Sequence, residues 1–261
     1  MLRADNPGPM TLDGTRSYVL RAPGSSGCVV VDPGPALEPH LTELAGAGPV
    51  ELALVTHRHP DHTGGLARFR ELTGAPSRGG LPEFSVGSRG AGVDSLADGE
   101  VLEVAGLRIE ALATPGHTAD SVCLVVSDGS SSVVLTGDTV LGRGTTVLAE
   151  PDGSLRDYLA SLDRLSALGL PGPVLGLPGH GPVIQDLGSA VHAYRQHRLE
   201  RLEQVRAALT GLGAELPDVA SPLPDTLLDA VTGAVYADVD ASVLIAARSS
   251  VRAQLEYLRG R

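Results

Sequence analysis

Five of the eight histidines fall in three short turn segments, each directly after a strand-like run. They are His57, His59 and His62 in THRHPDH, His117 in TPGHT and His180 in PGHGP. Imidazole with carboxylate is the donor set of hydrolytic metal centres. If His57 and His59 leave a strand end with period-two geometry, both side chains point to one side and can hold one metal. Asp61 and His62 follow the turn at Pro60 and aim at a second position, while Gly64 and Gly65 let the chain turn tightly into the next helix. Asp138 ends an apolar run in TGD and offers a carboxylate that could link two ions. Metal pairs about 3.5–4 Å apart are a known hydrolytic device.

The expected chemistry follows from the donor set. A metal-bound water has its pKa lowered from ~15.7 to about 7, which supplies hydroxide at neutral pH. The ions would also polarise a scissile carbonyl or phosphoryl oxygen, so no serine or cysteine nucleophile is required. Cys123 sits inside the apolar run VCLVV with no base beside it, which excludes a thiol mechanism.

The ordered series THRHPDHTGG, TPGHT, TGD and PGHG resembles the metallo-β-lactamase superfamily. That resemblance implies an α/β fold, an αββα sandwich with the metal site at one edge of its two sheets. It implies one metal on His57, His59 and His117 and a second on Asp61, His62 and His180. Asp138 would bridge them, with Asp61 and Asp138 as the catalytic carboxylates and two Zn2+ (Mn2+ or Fe as alternatives) as the cofactors. Longer stretches (NPGPMTLDGTRSYVL, PGHTADS, TGDTVLGRGTTV, YLASL, PGHGPVI and YRQHRLERLEQ) resemble the β-lactamase-like protein 2 group over nearly all of residues 6–210. In that group the tail is a small winged-helix-like domain. The expected domains are therefore 1–185, catalytic, and 186–261, helical and winged-helix-like but without a full β-wing.

The resemblance implies a dinuclear zinc hydrolase using a metal-bridging hydroxide on an ester, thioester or phosphodiester. The group includes endoribonucleases acting on single-stranded RNA and thioesterases acting on carrier proteins. Two further alternatives share the motifs: a glyoxalase II-like thioester hydrolase and a mononuclear iron dioxygenase. Against the former, PGHTAD carries Asp120 where PGHTxG has glycine. A non-enzymatic binding module using the tail on nucleic acid is the remaining class. Thr56, Thr114, Thr118 and Asp32 lie at strand ends near the motifs and are expected to hold the ligand rings, with Asp32 equally readable as a turn residue. Arg143, Thr145 and Thr146 follow Asp138 and are candidates to line a substrate pocket, joined by Tyr194 and His197 from a long helix. His40 and His192 read as surface residues.

The elements that must position these residues alternate up to about residue 185. Short strands are expected at SYVL, CVVVD, ELALVT, EVLEV, LRIEALAT, SVCLVVS, SSVVLTGD and PVLGL. Helices are expected at 36–47, in LARFREL, at 155–168 behind a capping box of Ser154 and Asp157, from 187 to about 209, and at about 224–235 and 240–258. Residues 74–99 read as a long loop with one strand, EFSV. The charged stretch 195–206 reads as a solvated helix face.

Composition narrows the partners. The formal net charge is −11, aromatics are 3% and tryptophan is absent, which weighs against a broad basic or base-stacking surface. Hydrophobic residues at 42% allow a sizeable core, and no apolar run approaches the roughly 18–20 residues of a membrane helix. Cys28 and Cys123 read as buried thiols in a reducing compartment, and the N-terminus has no apolar signal-like stretch, so a cytoplasmic location is expected. A small-molecule or acyl substrate is expected, single-stranded RNA is the alternative, no membrane partner is expected, and the sequence sets no oligomeric state.

Overall fold

Alternation along the apolar strands sorts their side chains into layers. The computed structural model describes residues 1–87, 94–148, 150–169, 172–238 and 240–260. In β3 (Cys28–Val31), Val29 and Val31 face inward while Cys28 and Val30 face outward. β4 (Val50–Leu54) repeats the pattern, Leu52 and Leu54 pointing in and Ala53 out. These strands pair in parallel and, with β1 (Leu2–Arg3), β2 (Arg16–Leu20) and β5 (Ser77–Arg78), form one sheet in the order β1-β2-β3-β4-β5.

The second sheet runs β10-β9-β8-β7-β6, from β6 (Val101–Val104), β7 (Leu107–Ala113), β8 (Val122–Ser127), β9 (Ser132–Gly137) and β10 (Leu175–Pro178). It is antiparallel except for the β9–β10 pair. Between the sheets Val29, Val31 and Leu54 meet Ile109, Leu124 and Leu135. Each such side chain contributes about 1.5–3 kcal/mol on burial. Between β3 and β4 the chain forms α1 (Glu38–Ala45), and between β4 and β5 the short α2 (Pro60–Thr63) and α3 (Leu66–Thr73). On its outer face α1 and α3 seat Leu41, Leu44 and Phe69 against Val30 and Val55. On the outer face of the second sheet, α4 (Leu155–Ser166) and α5 (Leu187–Leu212) seat Tyr158, Leu162 and Val191 against Cys123 and Val134. The layering is the expected αββα sandwich.

Ser154 caps α4 as the sequence indicates, accepting from the Asp157 N–H at 3.2 Å. After α5 come α6 (Asp225–Val235) and α7 (Leu244–Leu258), which pack on its far end through Val205, Leu209, Leu228, Val231, Val251 and Leu255. Among the described residues no strand follows 186, so this region is helical and carries no wing.

Three expectations need correction. EFSV forms no strand: Pro82–Phe84 is a 3-10 turn and Val86 makes a lone bridge to Ser77. Residues 88–93 of that loop lie outside the described residues. His40 is buried rather than on the surface, because α1 turns it inward to put Nε2 2.8 Å from Ser17 Oγ. The 195–206 face is only partly solvated, since Arg198, Leu202 and Val205 are buried. Cys28 and Cys123 are free and buried, as read from the sequence. No helix is long and apolar enough to cross a membrane among the described residues.

Candidate metal centre

The turn after β4 gathers the first donors. His57 follows β4 after Val55 and Thr56, and Pro60 opens α2, which carries Asp61 and His62. His117 enters from the turn between β7 and β8, Asp138 from the end of β9 and His180 from the end of β10. All seven meet at one edge of the sandwich.

They form two groups. His57, His59, His117 and Asp138 present ligand atoms within 4.8 Å of one another, and so do Asp61, His62 and His180. In the first group His57 Nε2 and His117 Nε2 each lie 3.0 Å from His59 Nδ1. In the second, Asp61 Oδ2 lies 3.3 Å from His62 Nε2 and 3.2 Å from His180 Nε2. Asp138 faces both: Oδ2 is 3.9 Å from His57 Nε2, 3.7 Å from His117 Nε2 and 3.3 Å from His180 Nε2, and Oδ1 is 3.5 Å from His62 Nε2.

Hydrogen bonds on the far side of the rings fix which nitrogen is free. The Val147 carbonyl can only accept, so His117 donates from Nδ1 and leaves Nε2 as a lone pair. Asp32 serves two rings. Its carboxylate accepts from Thr56 Oγ1 at 2.7 Å, and Thr56 Oγ1 in turn lies 3.1 Å from His57 Nδ1. It also faces His62 Nδ1 at 2.8 Å. Asp32 is at the same time a turn residue, with φ 52° and a 2.8 Å bond from the Thr56 N–H. Both readings of Asp32 thus hold in one place. Thr114 and Thr118 bond elsewhere, Thr114 to Cys123 and Thr139, Thr118 to Ser121.

The chain backbone makes room for this cluster. A Cβ at Gly179 would lie 2.4 Å from Asp138 Oδ1 and 2.6 Å from His62 Cε1, so only glycine lets the chain pass the site after β10. Gly137 adopts φ 47°, and a Cβ there would stand 2.8 Å from Thr56.

Charge separates the two groups. Burial keeps His57, His59 and His117 below their ordinary value despite Asp138, with His117 at about 4. Burial also opposes charge on His62 and His180, but Asp138 and neighbouring carboxylates overcome it. His62 is held well above its ordinary value and His180 rises to about 9. Burial of Asp138 and half-burial of Asp61 favour their neutral forms, yet His62 and His180 hold both well below the usual carboxylate range. Asp138 Oδ1 is nevertheless buried with no hydrogen-bond partner among the described residues. Convergent ring nitrogens, with those of His57 and His117 left as lone pairs by their outward bonds, and the carboxylate oxygens of Asp61 and Asp138 form donor sets that fit divalent cations.

Residues 139–148 cover the site and are held by side chains from three helices. Tyr158 OH donates to the Thr139 carbonyl at 2.6 Å, and Tyr194 OH accepts from the Leu141 N–H at 3.0 Å. Arg198 donates to the Thr146 carbonyl, and Ser249 Oγ donates to the Leu148 carbonyl at 2.9 Å. The loop and the C-terminal helices enclose a cavity of about 340 Å³ with His117 and Asp138 in its wall. Arg143, Thr145, Thr146 and His197 line it. Tyr194 does not, because its hydroxyl is engaged with Leu141.

Sequence reasoning missed three contributors. Thr15 Oγ1 donates to Asp61 Oδ2 at 2.9 Å, and Asn6 bonds both the Thr15 hydroxyl and its N–H. Arg58, between His57 and His59, pairs with Asp152, which also accepts from the Ala119 N–H at 3.1 Å and so ties two ligand turns together. Arg198 was hidden in a charged helical stretch.

A two-sheet sandwich with paired histidine–aspartate groups at one edge is the architecture of a metal-dependent hydrolase. The model of the metallo-beta-lactamase superfamily matches residues 10–182, and the chain belongs to that superfamily. The chain is 32% identical to a beta-lactamase-like protein 2 homolog of Caenorhabditis elegans, over 97% of this chain and 81% of that protein. It is 32% identical to an atrochrysone carboxyl ACP thioesterase of Aspergillus chevalieri, over 92% of this chain and 75% of that protein. Among solved structures it resembles a metallo-beta-lactamase family protein from Thermus thermophilus. That match has a TM-score of 0.74 and 25% identity, and covers 99% of this chain and 92% of the other.

Proposed function

We propose that the chain is a dinuclear zinc hydrolase acting on a small acyl thioester or ester. His57, His59 and His117 would hold one ion, Asp61, His62 and His180 the other, and Asp138 would face both. When bound, such a pair supplies Lewis-acid activation of water and of the scissile group. The observation that carries the reading is the position of Asp138. Its Oδ2 lies between the two groups, 3.7 Å from His117 Nε2 and 3.3 Å from His180 Nε2, while its Oδ1 faces His62 and has no hydrogen-bond partner among the described residues.

The chain's own residues do the positioning. Val147 and Asp32 engage the outward nitrogens of His117 and His62, so the inward nitrogens are the ones turned toward a metal: His117 offers a lone pair there, and His62 would offer one on losing its proton. Thr15 orients Asp61, whose charge is maintained by His62 and His180. The loop 139–148 closes one wall against water. Residues 186–261 would act as a second domain whose role is to brace that wall.

A thioester or ester is favoured over RNA on two grounds. The cavity is small with largely apolar walls, among them Leu12, Leu141 and Val147, and the net charge of −11 opposes a long phosphate backbone. The similarity to a thioesterase over 92% of this chain points the same way.

The test is metal analysis combined with a hydrolysis panel of aryl ester, thioester, lactone, phosphodiester and single-stranded RNA. Two metals per chain and fastest turnover on the thioester or ester are expected. A single metal at full activity would overturn the dinuclear reading, and preferred cleavage of RNA with a steep salt dependence would overturn the acyl one.

A further inference from the structure

Most described arginines have a carboxylate within 4.0 Å, as Arg58, Arg68, Arg78, Arg164, Arg195 and Arg248 illustrate. That is the expected outcome in a chain with 31 acidic residues. Arg143, Arg198 and Arg201 have no such partner among the described residues, and all three line the cavity over the metal cluster. Among the described residues the same cavity wall holds no carboxylate other than Asp138.

The three cations differ in what they can still do. Arg198 is 3% exposed; it donates to the Thr146 carbonyl and lies over the Tyr158 ring at 5.0 Å, while its Nε is buried with no partner among the described residues. A buried guanidinium without a counter-charge is costly. Arg201 is half-buried, stacked at 4.9 Å on Tyr236, and its one hydrogen bond among the described residues is to neutral Gln204 at 2.7 Å. Arg143 is exposed at the rim on the loop that follows Asp138. Between these cations the wall is apolar, formed by Met10, Leu12, Leu141, Val147, Val243 and Ala246. Burial and the nearby Arg198 and Arg201 also keep His197 below its ordinary value, so this wall histidine adds a neutral donor and no competing cation at neutral pH.

We infer that the cavity selects substrates by an anionic terminus, a carboxylate or phosphate carried at the end of a short apolar acyl chain and paired with Arg143 and Arg201. Arg198 keeps the pocket electropositive from behind and supplies no direct contact. The volume of about 340 Å³ suits a ligand of a few carbons and a charged head, at the lower end of small-molecule sites. This inference rests on the acyl-hydrolase reading and adds the substrate's charge to it.

The experiment compares metal-loaded protein on three thioesters of N-acetylcysteamine: butyryl, succinyl and 3-phosphonopropanoyl. They share chain length and differ in the terminal methyl, carboxylate or phosphonate. Higher kcat/KM on one or both anionic substrates than on butyryl is expected, and whichever is preferred identifies the head group. In Arg201→Met and Arg143→Met that preference should shrink roughly ten- to a hundredfold, mostly through KM, while Arg201→Lys recovers part of it. Equal kcat/KM on all three, or a preference untouched by both Met variants, would overturn the inference while leaving acyl hydrolysis standing. Hydrolysis of none of them, with cleavage of single-stranded RNA instead, would overturn the acyl reading and the inference with it. Circular dichroism and metal content of each variant report whether the fold and metal centre are intact.

Discussion

The two donor groups are built from the same side chains but balanced differently. Around His57, His59 and His117 the near carboxylate is Asp138, and the rings are neutral. Around His62 and His180 stand Asp32, Asp61 and Asp138, and the rings hold protons. The first group is a set of lone pairs ready to accept an ion. The second already contains positive charge, in the form of protons that an ion must displace. Ligand identity alone does not predict how readily each position fills; the neighbouring acids do.

The largest effect expected from breaking this arrangement is at the shared residue. Asp138→Ala should empty both positions and lower turnover by more than the ~10²–10³-fold that losing one stabilising donor costs. Metal analysis showing two retained ions would refute the placement of Asp138 between the groups. The next test uses pH. A group whose folded value is raised stays protonated until pH passes that value, and a protonated imidazole cannot bind metal. Uptake at the second position should therefore climb with pH by up to ~tenfold per unit for each ring proton displaced, His62 and His180 both carrying one, up to about pH 9, where His180 loses its proton. His117 sits at about 4, so uptake at the first position should be flat from neutral pH upward. Chelator competition across pH distinguishes them, and parallel slopes would contradict the asymmetry.

Asp32→Asn should weaken metal affinity by ~10–100-fold, the usual cost of losing a partner behind a ligand. The loss should fall more on the second position, where Asp32 touches His62 directly, than on the first, which it reaches through Thr56. Equal losses would mean that the Thr56 relay transmits fully. The smallest effect belongs to Thr15→Val, a few-fold loss at the second position alone from removing one hydrogen bond to a carboxylate. A competitive titration that moves the first position instead would refute the assignment.

Much of this was legible in the sequence because the candidate metal donors are local to strand ends. CVVVD, ELALVT, SVCLVVS and SSVVLTGD declare strands by their apolar, β-branched-rich runs, and the chemistry lies in the turns that follow. Asp32 could be suspected for the same reason. What was hidden depends on tertiary packing. Thr15 and Asn6 sit in a polar N-terminal stretch that reads as turn, and only the bridge between Thr15 and His180 brings them to Asp61. Arg198 occurs in a run of charges whose periodicity does not reveal which face α4 will cover. His40 lies in an amphipathic helix one residue before Leu41, and its burial follows from how α1 tilts onto the sheet. EFSV has strand-like residues, but Pro82 starts a 3-10 turn just ahead of it and prevents an extended run.

The lacing of residues 139–148 has a consequence for how such a protein can diversify. Tyr158, Tyr194, Arg198 and Ser249 hold backbone atoms, not side chains, of that segment. Its exposed amino acids, Arg143 and Thr145, can therefore be exchanged while its path stays put, whereas replacing the C-terminal helices would release the path itself. New selectivity is cheap along the loop and expensive in its scaffold.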